Sequence, residues 1–226
     1  TASGMKPPVI TAIAVDPRGE LVAAAGDDHL IRILGADSLT LIETLSGHRD
    51  LIQTIRFDPS GGRLASAGND GQLIFWDRDA RFGRIKRISA LPSLRGVVFS
   101  PDGSEIAAVG FDANVHIMRW GESALRKLRC RGTDLRAVAY RDDGRRLAVA
   151  GRSGELTLFD LSSGDHRRHL LHEGRIHDIA FHYHTNRVIC VADDGHVSVF
   201  DTKDEQLVYR VPVSTGKLFA VAVLNS

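Results

Sequence analysis

Three residue types that together can perform nucleophilic catalysis occur near one another early in the chain. His48, Ser66 and Asp70 supply an imidazole, a hydroxyl and a carboxylate within about two dozen positions. In a catalytic triad the serine is exposed beside an oxyanion site, and the histidine removes its proton. Ser66 instead lies in RLASAG, which predicts a buried strand, and no G-x-S-x-G turn surrounds it. The sequence therefore favours a structural hydrogen-bonded network over a hydrolase.

Histidines are concentrated late in the chain, where they invite a metal-binding interpretation. Seven of the ten histidines follow position 165, in DHRRHLLH (165–172), in HYH (182–184) and singly. The first group is expected on an outer strand or the link after it, and the second on a turn at the opposite face. Neither group has a closed zinc spacing with cysteine or carboxylate partners. No glycine-rich phosphate loop is present either. We predict no metal and no cofactor, with a hydrolase or metal-binding protein kept as an alternative.

The elements that must position these residues come from one unit repeated five times. The copies succeed one another at offsets of 42, 42, 41 and 41 residues. Each copy predicts four short strands: an apolar one, a small apolar one after a turn, a third, and a more polar fourth. The copies are ITAIAVDPRGELVAAAGDD (10–28), IQTIRFDPSGGRLASAGND (52–70), LRGVVFSPDGSEIAAVGFD (94–112), LRAVAYRDDGRRLAVAGRS (135–153) and IHDIAFHYHTNRVICVADD (176–194).

This period, without helical periodicity, predicts an all-β propeller of four-stranded antiparallel blades. LFAVAV (218–223) reads as the first strand of a sixth blade. Unpaired strand edges of an incomplete blade invite association. Three accounts stay open: a fragment of a longer propeller, a blade completed by another chain, which includes self-association through the sixth blade, and closure with five blades. We predict one domain, 1–226, with blades at 9–50, 51–92, 93–133, 134–174 and 175–216 and a partial blade at 217–226.

Residues 47–77, GHRDLIQTIRFDPSGGRLASAGNDGQLIFWD, resemble one unit of the WD-repeat (WD40) β-propeller family. The resemblance extends over nearly the whole chain from Val9, with one well-matched unit and four degenerate ones. It implies a structural tetrad of hydrogen-bonded side chains within the second blade. The residues at the matching positions are His48, Ser66, Asp70 and Trp76.

The resemblance also implies a binding face, because loops around the channel mouth of such propellers commonly dock partners. A cluster of guanidinium groups there would suit an acidic or phosphorylated peptide. The alternative is that these arginines are solvated and evenly spread, with no partner. The residues predicted at the channel mouth are Gln53, Arg95, Arg136 and His177, with Arg49, Arg131, Arg152 and Arg175 on neighbouring loops.

Composition sets limits on the other functions. The 226-residue chain has a net charge of +1, and aromatic residues make up 6%. None of them are interleaved with arginines as a stacking platform, so we expect no nucleic acid. No apolar run predicts a membrane span or a signal peptide. Cys130 and Cys190, the two cysteines, are too few for a disulfide scaffold, so we expect reduced thiols and a cytoplasmic location.

We therefore predict a non-enzymatic scaffold that binds a protein or peptide partner on its loop face. A sensor or regulatory propeller domain of a larger multidomain protein is the alternative.

Overall fold

Each repeated unit of the sequence folds into one four-stranded sheet. The computed structural model describes residues 7–89, 91–122 and 124–223. Its twenty strands form five sheets, and each sheet pairs its strands in chain order. In this part of the chain, no helix has the length and hydrophobicity of a membrane span. The expectation of an all-β fold built from four-stranded antiparallel blades is confirmed.

The strands have the following bounds. The first sheet contains β1 (Ile10–Val15), β2 (Leu21–Gly26), β3 (Leu30–Gly35) and β4 (Leu41–Ser46). The second contains β5 (Ile52–Phe57), β6 (Arg63–Gly68), β7 (Leu73–Asp77) and β8 (Gly83–Ile88). The third contains β9 (Leu94–Phe99), β10 (Glu105–Gly110), β11 (Asn114–Arg119) and β12 (Leu125–Arg129). The fourth contains β13 (Leu135–Tyr140), β14 (Arg146–Gly151), β15 (Glu155–Asp160) and β16 (His166–Leu170). The fifth contains β17 (Ile176–Phe181), β18 (Arg187–Ala192), β19 (His196–Asp201) and β20 (Gln206–Pro212).

The chain divides into two compact units, Thr1–Val97 and Val98–Ser226. In the first unit, Ile31 and Ile33 of the first sheet pack with Ile55, Ile74 and Trp76 of the second. The small alanines of β2 bring no bulk to this core, so the apolar side chains of neighbouring strands can interdigitate there.

The second unit has two cores of the same kind. In one, β10 and β11 pack with Leu147, Val149 and Phe159 of the fourth sheet. In the other, Leu156 and Leu158 of the fourth sheet pack with the fifth. The outer strands β12 and β16 are mostly exposed. Burial therefore falls from the inner strands to the rim, as the polar fourth strands of the repeat predict.

The polar turn after each first strand is held by its own side chains. In the first sheet, the Asp16 carboxylate accepts the backbone N–H groups of Glu20 and Leu21 at 2.8 and 3.0 Å. Asp58 does the same for Arg63 in the second sheet, at 2.9 Å. These bonds fix the strand-to-strand turn because aspartate accepts from backbone donors a few residues ahead.

The segment 217–223 differs from the expected first strand of a sixth blade. No strand is present in these residues. The segment is nevertheless attached to the fifth sheet: the Leu218 N–H donates to the Ala192 carbonyl at 3.1 Å, and the Val221 N–H to Asp178 at 3.0 Å. These contacts are too few to form a strand ladder. Residues 1–6 and 224–226 of the expected domain lie outside the described part, and the blade boundaries stay a prediction.

Candidate functional site

Backbone irregularities position the side chains that the sequence predicted at one face. The ladder between the first two strands skips one residue in four sheets, which is a β-bulge. A bulged residue is unpaired, and its side chain is turned out of the regular alternation. This places a polar residue at the loop end of the sheet in each case. The skipped residues are Thr11, Gln53, Arg136 and His177.

In the second unit, Asp134 gathers two of the predicted arginines. Its carboxylate accepts from Arg136 Nε at 3.1 Å and lies 3.6 Å from Arg175 Nη2. The carboxylate is only 7% exposed. Asp134 was missed by the sequence analysis, because an aspartate in GTDL reads as an ordinary turn residue. It holds Arg136 and Arg175 side by side at the loop end of the fourth and fifth sheets.

Two further arginines, Arg131 and Arg152, lie on the same side of the fourth sheet. Together with Arg136 and Arg175 they form what we call the arginine surface. The backbone N–H of Arg152 donates to the Asp134 carbonyl at 2.9 Å. Gly151 permits this approach, since a Cβ there would collide with that carbonyl. Arg131 and Arg152 are exposed, and within the described residues neither forms an ion pair.

A cavity of about 450 Å³ opens between these two arginines. We call it the arginine cleft. Its walls combine guanidinium, hydroxyl and backbone groups with one buried leucine. The lining residues are Arg131, Gly132, Thr133, Asp134, Leu135, Arg152 and Ser153.

A second cluster of polar side chains lies near the start of β17. His177 Nε2 lies 2.6 Å from Asp193, and Lys217 Nζ lies 3.3 Å from the same carboxylate. The hydrogen bond from His177 is the main cause that holds the pKa of Asp193 below its usual value. The ring of Phe219, itself exposed, lies 4.8 Å from the His177 ring. Asp193 and Lys217 were not predicted, because their partners come from other parts of the repeat.

The predicted residues of the first unit form a separate group. Gln53 donates to Asn69 at 3.2 Å, and Ser93 donates to the same side-chain oxygen at 3.0 Å. Arg49 is exposed, and its backbone N–H donates to Asp70 at 2.9 Å. Arg95 is partly buried. The structure thus brings four of the predicted arginines together, and these four all lie in the second unit.

The tetrad residues of the first unit lie within hydrogen-bonding distance of one another. His48 Nδ1 is 2.9 Å from Asp70, and His48 Nε2 is 2.8 Å from Ser66 Oγ. Trp76 Nε1–H donates to the same Oγ at 2.9 Å. Ser66 therefore donates its own proton to His48, whose Nδ1–H donates to Asp70. Ser66 is 0% exposed, so no substrate reaches its hydroxyl, and the group holds the sheet together.

Burial sets the charge states in this network. It lowers the pKa of His48, and the Asp70 carboxylate only partly offsets this effect, so the imidazole is neutral at pH 7. Burial also raises the pKa of Asp70, but donors led by the Arg49 backbone N–H outweigh it. The pKa of Asp70 therefore lies below its usual value.

The fifth sheet contains half of the same network. His172 Nδ1 lies 2.8 Å from Asp194, and these two residues take the positions of His48 and Asp70 in the second unit. Cys190 and Phe200 replace the serine and tryptophan, and the buried His172 Nε2 has no partner in the described part of the chain. Burial lowers the pKa of His172. This sheet therefore relies more on apolar packing than the second sheet does.

The remaining histidines take separate positions. His166 packs on Phe159, and His169 on Phe200, with ring centroids 5.3 and 4.5 Å apart. His184 pairs with Asp142 at 3.0 Å on the opposite turn. Among the residues that the structure describes, no group of three or more histidine, cysteine or acidic side chains is arranged to hold a metal ion.

Five four-stranded sheets with a His–Asp network inside the blade define a propeller-type repeat protein. A family model described as "WD domain, G-beta repeat" matches residues 3–33, 39–77 and 165–201. The chain therefore contains WD40 repeats at these three positions.

Among curated proteins, the chain is similar to the Periodic tryptophan protein 2 homolog of Schizosaccharomyces pombe. The two are 27% identical over 174 residues, covering 67% of this chain and 20% of that protein. The WD repeat-containing protein 89 homolog of Dictyostelium discoideum is 28% identical, with 67% and 42% covered. Actin-interacting protein 1-2 of Arabidopsis thaliana is 30% identical, with 58% and 22% covered. The chain spans less than half the length of each of these relatives.

Proposed function

We propose that this chain is a non-enzymatic scaffold that docks an acidic protein or peptide on the arginine surface of its second unit. The family supports the general role, since WD40-repeat proteins typically bind other proteins. One relative is named for interaction with actin and another as a transcriptional corepressor, which are roles of those proteins.

The carrying observation is the arrangement around Asp134. Arg136 and Arg175 pair with the buried Asp134 carboxylate, and Arg131 and Arg152 line the cleft beside it. These four arginines and one carboxylate leave an excess of three positive charges. Excess charge at a surface attracts an oppositely charged partner and speeds its association. Because strands and bulges already hold the surface in place, the scaffold loses little conformational entropy when a partner docks.

We also propose that the chain has no enzymatic activity. Ser66, whose hydroxyl lies beside His48 in the chain that leads to Asp70, is buried within the second sheet. Burial raises the pKa of the Cys130 and Cys190 thiols to about 12, so neither is a thiolate nucleophile at pH 7. Two buried, reduced thiols also fit the cytoplasmic location that we propose.

A random-peptide array tests the proposal. We expect the chain to enrich acidic peptides, and neutralising Arg131, Arg136, Arg152 and Arg175 to glutamine should abolish that enrichment. Asp134→Asn is included in this variant so that no buried carboxylate is left unpaired.

The matched control neutralises three arginines on the outer strands β12 and β16: Arg126, Arg129 and Arg168. Because Asp134→Asn removes one negative charge, both variants lower the net charge by three, and the control should keep the wild-type preference. Equal loss of enrichment in both variants would show that net charge, and not this surface, selects the peptides.

A further inference from the structure

The arginine cleft contains the groups that recognise a phosphoryl group. Arg131 and Arg152 line it from two different loops, and in the described part of the chain no carboxylate lies within ion-pair distance of either guanidinium. By contrast, Arg136 and Arg175 are both engaged by Asp134. Guanidinium groups form paired, charge-assisted hydrogen bonds with phosphate oxygens. The two unengaged arginines can therefore accept a new anion without breaking an existing ion pair.

The backbone of the cleft supplies further donors. Gly132 has a φ of 89°, in the left-handed region, and a Cβ at this position would meet nothing within 4 Å. Among the described hydrogen bonds, the backbone N–H groups of Arg131, Gly132 and Thr133 have no acceptor. Successive free N–H groups around a left-handed residue form a concavity that suits an anion. The open side of Gly132 lets an anion approach them closely.

Two hydroxyl groups complete the donor set. Thr133 and Ser153 are exposed and line the cleft. Ser153 Oγ accepts from the Glu155 N–H at 3.3 Å, which leaves its own O–H proton for another acceptor. A phosphate monoester offers three terminal oxygens and nearly two negative charges, whereas a carboxylate offers two oxygens and one charge. The number and charge of these donors match the phosphate better.

The surroundings favour a peptide over a membrane as the source of that phosphate. Asp134 forms part of the wall of the cleft, Glu173 is exposed, and Asp193 directly follows β18 in the fifth sheet. An anionic bilayer presents a broad negative surface and would be repelled by these carboxylates. One phosphoryl group on a peptide can enter between Arg131 and Arg152, because Glu173 and Asp193 lie outside the lining of the cleft. The Asp134 carboxylate in the wall is buried and already paired with Arg136 and Arg175.

We propose that the arginine cleft binds a phosphorylated serine or threonine of a partner protein. This inference rests on the proposed scaffold function and adds the chemical state of the partner. Phosphorylation of the partner would then control docking.

The test uses the full chain and random-peptide arrays that carry phosphoserine, serine or glutamate at one fixed position. We expect phosphoserine peptides to bind at least about tenfold more tightly than their serine and glutamate counterparts, as a charge-assisted contact predicts. Arg131→Gln and Arg152→Gln should each remove that preference. Arg168→Gln, the same change on the outer strand β16, should leave it intact. O-phosphoserine titrated alone should shift the amide signals of Gly132 and Thr133 in NMR spectra.

The other outcomes separate the two proposals. Equal binding of glutamate and phosphoserine peptides at the arginine surface would overturn the phosphate inference and leave the scaffold proposal standing. No binding of any acidic peptide would overturn both. Binding of phosphoinositide vesicles that depends on Arg131, without binding of phosphoserine peptides, would overturn the assignment to a protein partner. Because both arginines are exposed, unchanged melting temperatures should confirm that the variants are folded.

Discussion

Replacing Ser66 with alanine should strongly destabilise the first unit. The Ser66 hydroxyl accepts from Trp76 Nε1–H at 2.9 Å and donates to His48 Nε2 at 2.8 Å. Its loss leaves two buried polar groups without a partner. Each such group costs about 1–3 kcal/mol of folding free energy. Because some relaxation is expected, we predict a loss of about 2–4 kcal/mol in the free energy of unfolding.

The assay is urea unfolding followed by far-UV circular dichroism, because Trp76 itself would complicate fluorescence. Ser38→Ala, at an exposed position of the same unit, is the control and should change stability by less than about 0.5 kcal/mol. Combining Ser66→Ala with Trp76→Phe removes the stranded indole N–H. The double variant should therefore lose less than the sum of the two single variants. A Ser66→Ala effect no larger than that of the control would refute the buried network.

Further predictions concern the fifth sheet, acid stability and the thiols. Cys190→Ser should stabilise the protein by about 0.5–1.5 kcal/mol, because a serine hydroxyl can donate to the unpartnered Nε2 of His172. Chemical unfolding measures this gain, and a loss of stability would contradict the predicted geometry. Burial lowers the pKa of His48 and His172, so below about pH 6.5 the unfolded state binds protons that the folded state does not. The free energy of unfolding should consequently fall as the pH drops from 7.5 to 5, and glutamine at both positions should flatten this slope. A slope unchanged in the double variant would show that other groups cause it. Cys130 and Cys190 should react with a thiol reagent at pH 8 far more slowly in the native protein than in urea, since burial raises their pKa values to about 12. Equal rates would indicate that both thiols are exposed.

The repeat could be read from the sequence because each copy aligns without gaps over its first two strands. Turn residues and apolar strands recur at a fixed period, so the four-stranded sheets could be predicted. The sequence pattern alone could not show whether residues 218–223 form the first strand of a sixth blade. LFAVAV has the composition of a strand, but a strand also requires a partner, and the described residues 217–223 form only isolated hydrogen bonds.

The candidate site was predicted in part. The polar residues near the start of the first strands could be recognised in the sequence, because Gln53, Arg136 and His177 interrupt apolar strands. Their exact placement depends on β-bulges, which arise from the register between two strands and leave no clear mark in one of them. Asp134 escaped detection for a related reason: its two arginines come from different repeats, and only tertiary packing unites them.

The third sheet shows how a degenerate repeat can restore an interaction. Asp112 occupies the position in the third unit that Asp70 has in the second, and it pairs with His116 at 3.0 Å. His116 is four residues further along the chain and does not occupy the position that His48 has in the second unit. The matching position, Ala90, lies outside the described residues. Aligning the repeats misses this pair, because the histidine comes from β11 and not from the segment before the first strand.

The most direct test of the docking surface is hydrogen–deuterium exchange of the full chain with and without its tightest array peptide. We expect slower exchange in the bound protein at residues 131–136, 152–154 and 175–177, where the arginine surface lies. The outer strands β12 and β16 should exchange as in the free protein. Protection confined to those outer strands, with no change at the arginine surface, would contradict the account.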